Sequence, residues 1–122
     1  MLIDSHCHFN SLSRITREEI ISSKPEFLLI DSGIDLDSSL ASISLSRKYD
    51  FIHTSLGFHP FCANEFSDEV LSRYRKLIED GEKIVGIGEI GLDYKANTPA
   101  DKQEEIFSKF LELARDKNLA VI

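Results

Sequence analysis

No stretch of this 122-residue chain approaches the roughly 20 consecutive apolar residues that a bilayer-spanning helix requires. The amino-terminal segment MLIDSHCHFN has no basic stretch followed by an apolar one, so it does not read as a secretory signal. The default expectation is a cytoplasmic protein with no membrane partner. Cysteine is scarce. Cys7 and Cys62 are too few for a disulfide scaffold. Each lies beside a histidine-bearing segment, which allows both to sit near one site, but the plain reading is two reduced, partly buried thiols. Basic residues are outnumbered, 14 Lys and Arg against 21 Asp and Glu, for a formal net charge of -7. That balance argues against tight nonspecific nucleic-acid binding, which rests on Lys and Arg neutralising phosphates. A nucleic-acid substrate remains compatible, because divalent metals can bring the missing positive charge. Linkers and low-complexity runs are absent as well.

What is present is the composition of a globular chain, 42% hydrophobic and 29% charged. Its length is enough to bury a real core. Short apolar runs alternate with longer amphipathic ones. Strands are expected at Leu2–Asp4, Glu26–Asp31, Phe51–Gly57 and Lys83–Glu89, with a fifth beginning at Leu119–Ile122. A first helix is expected from Thr16, where Thr16-x-x-Glu19 has the form of a capping box. A second covers Leu36–Lys48. A third covers Ser67–Asp80, its apolar stripe being Val70, Leu71, Tyr74, Leu77 and Ile78, with Asp68 and Glu69 in its first turn and Gly81 ending it. A fourth follows Thr98-Pro99-Ala100-Asp101, with Pro99 at the first helical position and Ile106, Phe107, Phe110, Leu111 and Ala114 facing the core.

Such alternation implies βαβ units and a parallel sheet. A closed (β/α)8 barrel of the TIM type takes eight units and about 250 residues. Residues 1–122 supply about the first four βα units and the start of strand five. They are therefore expected to be a single incomplete barrel domain, the N-terminal half of a longer protein. Its open edges offer a route to self-association.

Four segments fall at the carboxyl ends of the expected strands, where parallel α/β folds bind ligands. In Asp4-Ser5-His6-Cys7-His8, residues two apart in extended chain share a side, so His6 and His8 can reach one metal ion together. In Gly86-Ile87-Gly88-Glu89-Ile90-Gly91-Leu92-Asp93-Tyr94, three glycines permit a sharp turn and a close approach, and Glu89 offers a carboxylate able to bridge two ions. A dinucleotide fingerprint fits that segment poorly, because the third glycine is misplaced. Asp93 and Tyr94 are candidates for substrate binding or for shaping the loop. In Gly57-Phe58-His59-Pro60, Pro60 keeps His59 extended and able to face the mouth of the site, toward a substrate phosphate. His53, inside the third strand, is expected to be structural. Gly33-Ile34-Asp35 is expected to be a turn and helix start, with Asp35 or Asp37 as the N-cap.

In this order and at these intervals, the four segments resemble the TatD-family metal-dependent deoxyribonucleases, relatives of the amidohydrolase superfamily. Gln103, Phe107, Leu113-Ala114 and Asn118–Ile122 fit the same pattern, and the resemblance covers the whole chain. It implies a TIM-like barrel with two divalent ions (Mg, Mn or Zn), held by His6, His8 and a bridging, catalytic Glu89. It further implies hydrolysis of DNA phosphodiesters by a metal-activated water, with His59 near the scissile phosphate. It places two more histidines and an aspartate on strands five, six and eight, beyond Ile122, without which an isolated chain is expected to be inactive or impaired. Lys95 and Ala120 depart mildly from the family, which commonly has an aromatic or histidine and a proline there. Two rivals stand beside this reading. One is another metal-dependent hydrolase, an amidohydrolase or phosphoesterase, on the same scaffold. The other is a non-catalytic half-barrel that self-associates.

Overall fold

The computed structural model describes residues 1–122. Five strands lie parallel in the order β1-β2-β3-β4-β5: β1 (Leu2–Cys7), β2 (Phe27–Ser32), β3 (Ile52–Leu56), β4 (Ile84–Ile87) and β5 (Ala120–Val121). Four helices connect them in turn: α1 (Arg14–Ser22), α2 (Leu36–Lys48), α3 (Asp68–Asp80) and α4 (Ala100–Lys117). Sequential neighbours joined by helical crossovers are the pattern of a β/α barrel, and this sheet forms a half-barrel. None of the helices is long and apolar enough to cross a membrane.

The helices bury their apolar stripes on one side of the sheet. Leu56 and Ile87 meet Ile43 of α2, Leu71 and Tyr74 of α3, and Ile106, Phe110, Leu113 and Ala114 of α4. Phe58 stacks on Phe110 at 5.6 Å between centroids, and Tyr74 meets Phe110 edge-on at 5.1 Å. Such pairs add to the burial of their rings. The expected α3 stripe lies against this cluster throughout. In α4 one position differs: Leu111 is 36% exposed and Leu113 is fully buried. Neighbours at positions 106, 110 and 113 form the inward row of the helix, and 111 falls outside it. A smaller cluster of Phe9, Leu29 and Ile52 packs under α1 and α2.

The limits of β2 to β5 and of α3 shift by one or two residues from expectation, and three further boundaries differ for a local reason. α1 starts at Arg14, because Ser13 caps it and accepts the Thr16 amide at 3.1 Å. Thr16 is thus a first-turn residue, and the Ser13-x-x-Thr16 pair does the capping that Thr16-x-x-Glu19 was expected to do. Pro99 is the N-cap of α4 rather than its first helical residue. β1 runs past Asp4 to Cys7 and carries a bulge: Asp4 pairs with Leu29 and Cys7 with Asp31, so three steps on β1 match two on β2.

That bulge decides which way the histidines face. In an unbroken strand His6 and His8 would share a face with Leu2 and Asp4. One extra residue inverts the alternation, as a register slip would. Cys7 then takes the helix side, beside Phe9 and Leu29, and His6 and His8 turn to the barrel side.

Candidate metal centre

The site forms where the ends of β1, β3 and β4 meet. Beyond β4, Glu89 is held by its own backbone. Its amide donates to the Gly33 carbonyl at 2.9 Å, and its carbonyl accepts the Phe58 amide at 3.0 Å. The preceding Gly88 amide donates to the Leu56 carbonyl at 2.9 Å. The chain after β4 is thereby tied to the ends of β2 and β3 at once. Gly57 makes this crossing possible, since a side chain there would occupy the positions of the Gly33 carbonyl and the Glu89 amide. Gly88 has φ 153°, a conformation suited to glycine, and packs against Ile122; the Gly88–Glu89 peptide is cis. Of the three glycines in the Gly86–Gly91 segment only Gly88 has a positive φ, and the space about Gly91 is open.

The side chains converge on one carboxylate. His6 Nε2 lies 3.4 Å and His8 Nε2 3.1 Å from the same oxygen, Glu89 Oε2. The candidate ligand atoms of these three residues all lie within 4.8 Å of one another. His59 Nε2 lies 3.8 Å from the other oxygen, Glu89 Oε1. No lysine or arginine stands within ion-pairing distance of Glu89. The His6, His8 and Glu89 side chains are 29% to 40% exposed, so the centre opens at the mouth of the half-barrel.

Backbone partners assign opposite tautomers to two of the histidines. His8 Nδ1 lies 2.9 Å from the Ser32 carbonyl, which can only accept. Nδ1 therefore carries the proton, and in the neutral ring Nε2 is bare. A bare nitrogen then faces a carboxylate oxygen at 3.1 Å. Two acceptors at this distance repel unless a cation lies between them. A divalent ion about 2.1 Å from each would separate them by about 3.0 to 3.4 Å, depending on its coordination. The donor set thus fits a metal ion. His59 is the reverse case: its Nδ1 accepts the Phe61 amide at 3.1 Å, which leaves Nε2 as a donor. Its ring packs against Phe61 at 4.5 Å, and its own amide donates to the Ile34 carbonyl at 2.7 Å.

The other expected residues lie apart. Asp93 Oδ1 accepts the Lys95 amide at 2.9 Å and shapes its own turn. Gln103, buried at the start of α4, holds that loop: Oε1 accepts the Asp93 amide at 2.9 Å, and Nε2 donates to the carbonyls of Asp93 and Thr98 at 3.1 and 2.9 Å. Tyr94 is 75% exposed on the same loop. His53 lies within β3, paired in register with Ile30 and outside the cluster. Asp35 is the N-cap of α2, accepting the Ser38 amide at 2.7 Å. Cys7 and Cys62 are free and partly buried. Loss of solvation raises both thiols, Cys7 to about 11, so neither is poised as a thiolate ligand.

Sequence reasoning did not single out Ser32, whose carbonyl sets the His8 tautomer, nor Asn10 and Asp31 beside it. An acidic residue ending the apolar run EFLLID was the available signal, since an aspartate there must be buried or bonded.

Two histidines and a glutamate gathered at the carboxyl end of a parallel β/α half-barrel are a donor set of the kind that metal-dependent hydrolases use. The family model described as TatD related DNase matches residues 3–122, and the chain belongs to that family. It is 36% identical to an uncharacterized metal-dependent hydrolase of Methanocaldococcus jannaschii, over 98% of this chain and 49% of that protein. It is 35% identical to the 3'-5' ssDNA/RNA exonuclease TatD of Cronobacter sakazakii, over 76% of this chain and 35% of that protein. The crystal structure of YjjV, a TatD homologue from Escherichia coli, superimposes with a TM-score of 0.85 at 27% identity, covering 98% of this chain and 49% of that one. The chain spans about half the length, or less, of the curated relatives it matches.

Proposed function

We propose that this chain supplies the first half of the metal centre of a divalent-metal-dependent hydrolase that cleaves DNA phosphodiester bonds. The observation that carries the proposal is the bare His8 Nε2 facing Glu89 Oε2 at 3.1 Å, with His6 Nε2 on the same oxygen. His6, His8 and Glu89 would hold the metal. Glu89 Oε1, turned toward His59, leaves the carboxylate a second oxygen for a second ion. A bound divalent ion supplies Lewis acidity toward a phosphoryl oxygen and activates water for attack.

The residues of the chain do the rest. Glu89 is the catalytic carboxylate at the reacting centre, fixed by the cross-strand bonds of its own backbone. His59 presents an Nε2–H donor at the mouth and suits a non-bridging oxygen of the scissile phosphate. Asp93 and Tyr94 stand on the Gln103-held loop as outlying substrate contacts. Support for DNA as substrate comes from the family description and from the exonuclease name carried by the Cronobacter relative. An amide or another phosphoester on the same centre is the competing substrate.

Two measurements test this reading. Calorimetric titration of Mn²⁺ or Zn²⁺ into the chain is expected to show binding that His8→Ala and Glu89→Gln abolish. Incubation of a 3'-labelled single-stranded DNA with Mg²⁺, Mn²⁺ or Zn²⁺, beside an amide substrate, decides the bond cleaved by the protein that carries this centre. Absence of metal binding by the folded chain would overturn the metal reading. Hydrolysis of the amide but not of DNA would overturn the nuclease reading alone.

A further inference from the structure

The backbone ladder between β1 and β2 ends at the Cys7–Asp31 pair. His8 lies just past it, with φ -118° and ψ 62°, entering a 3-10 turn over Phe9–Ser11. The strand therefore delivers His8 to the site without holding it. What holds it is its own ring bond to the Ser32 carbonyl, two bonds that its carbonyl accepts from Ser11 (amide 3.0 Å, Oγ 2.7 Å), and a set of polar contacts two residues further on.

Asp31 is fully buried, and its Oδ2 is the buried side-chain atom without a hydrogen-bond partner. Its Oδ1 accepts twice from one residue: from the Asn10 amide at 3.0 Å and from Asn10 Nδ2 at 2.8 Å. The same Asn10 Nδ2 also lies 3.3 Å from the Ser32 carbonyl, the acceptor of His8 Nδ1. Arg17 Nη1 donates to the Asn10 carbonyl at 3.0 Å. Asn10 is thus gripped at its amide, its carbonyl and its side chain, and it shares an acceptor with the His8 ring. A buried carboxylate is costly, and a neutral acceptor would be enough to cap one amide. A carboxylate accepting both N–H groups of Asn10 holds them more strongly than a neutral group can.

We propose that Asn10, anchored by Asp31, is a positioning residue for the metal ligand His8: it fixes the turn after β1 and the Ser32 carbonyl that together set the ring's orientation and tautomer. The proposal rests on the reading of His8 as a ligand. Partners of this kind, which orient a ligating histidine, change metal affinity by about 10- to 100-fold when removed.

The test compares the chain with its Asn10→Ala and Asp31→Asn variants. Three quantities are measured: Mn²⁺ affinity by calorimetry, the tautomer of His8 from ring nitrogen shifts in the metal-free protein above pH 8, and stability by denaturant unfolding. Asn10→Ala is expected to fold, to bind Mn²⁺ about 10- to 100-fold more weakly, and to lose the single Nδ1–H tautomer of His8. Asp31→Asn keeps an acceptor oxygen and is expected to weaken binding by a smaller factor in the same direction. A folded Asn10→Ala with wild-type Mn²⁺ affinity and an unchanged tautomer would overturn the proposal. Should Asn10→Ala not fold, Asp31→Asn decides by the same comparison. If the unaltered chain fails to bind Mn²⁺, it is the metal reading that falls; if it binds and the variants bind equally well, only this inference falls.

Discussion

The Glu89 amide donates to the Gly33 carbonyl at 2.9 Å, across the end of β3, in space that only a glycine at position 57 leaves open. The carboxylate proposed as a metal ligand is therefore placed by backbone contact between three strand ends rather than by the packing of its own side chain. Gly57→Ala tests this. The added methyl would meet main-chain atoms of residues 33 and 89, which cannot rotate away as a side chain would. The expected cost is about 1–3 kcal/mol, the range for overpacking a close-packed region. Because Glu89 must shift, divalent-metal affinity should fall further than stability alone explains. Denaturant unfolding and metal titration on the same preparation measure the two effects separately. Unchanged affinity in a destabilised variant would show that Glu89 is held by something else.

Asp31 makes a prediction about pH. Loss of solvation by burial holds its carboxyl above the ordinary carboxylate range, and the hydrogen bonds from Asn10 only partly oppose this. A raised folded pKa means that the native state binds this proton more tightly than the unfolded chain does. The stability so gained is complete below the unfolded value and is lost as pH rises through the folded one. Wild type should therefore gain stability relative to Asp31→Asn as pH is lowered from neutral into the acid range. Paired denaturant curves at several pH values give the difference directly. A gap that is flat with pH would mean that Asp31 titrates normally.

How much of this was legible beforehand is best judged at β1. The pairing of His6 with His8 was visible from their spacing, and so was the arrival of Glu89 at the same mouth, because period and strand order need no coordinates. The direction in which the pair faces was not visible. It depends on a bulge between Asp4 and Cys7, and a bulge is set by the neighbouring strand's register, which the residues of β1 do not encode alone. The same holds for α1. Ser13 and Thr16 are both competent caps, and the choice fell to Ser13 because its backbone is extended at φ -58° and ψ 152°. The Asn10–Asp31 contact joins residues 21 apart, and no local pattern announces it. Long amphipathic helices, by contrast, were legible nearly to the residue: α2 spans Leu36–Lys48 as expected.

Gln103 makes three hydrogen bonds to one loop while 2% exposed. Gln103→Leu keeps its approximate size and removes all three. It leaves the Asp93 amide and the Thr98 carbonyl without these partners, at an expected cost of about 1–3 kcal/mol for each such group that stays buried. The loop carrying Asp93 and Tyr94 should loosen while the histidine cluster stays in place. Hydrogen exchange should accelerate at residues 93–98 with Mn²⁺ affinity retained. Equal loss at both places would show that loop and metal centre are one unit.

The two outer strands give the last prediction. β1 and β5 each pair on one side only, and β1 leaves Leu2 73% and Ile3 49% exposed, with Val121 on β5 47% exposed. An unpaired parallel edge with apolar side chains is a template for another strand, and charged residues are the usual guard against it. Asp4 is the only acidic side chain within β1, and no lysine or arginine lies there. The chain by itself is therefore expected to self-associate with rising concentration through these edges. Light scattering should show a mass that grows with concentration, and Leu2→Lys with Ile3→Lys should lower it. Because neither residue belongs to the metal cluster, the double variant should bind Mn²⁺ as the parent chain does. A parent chain that stays monomeric at high concentration would show that the exposed edges are not adhesive.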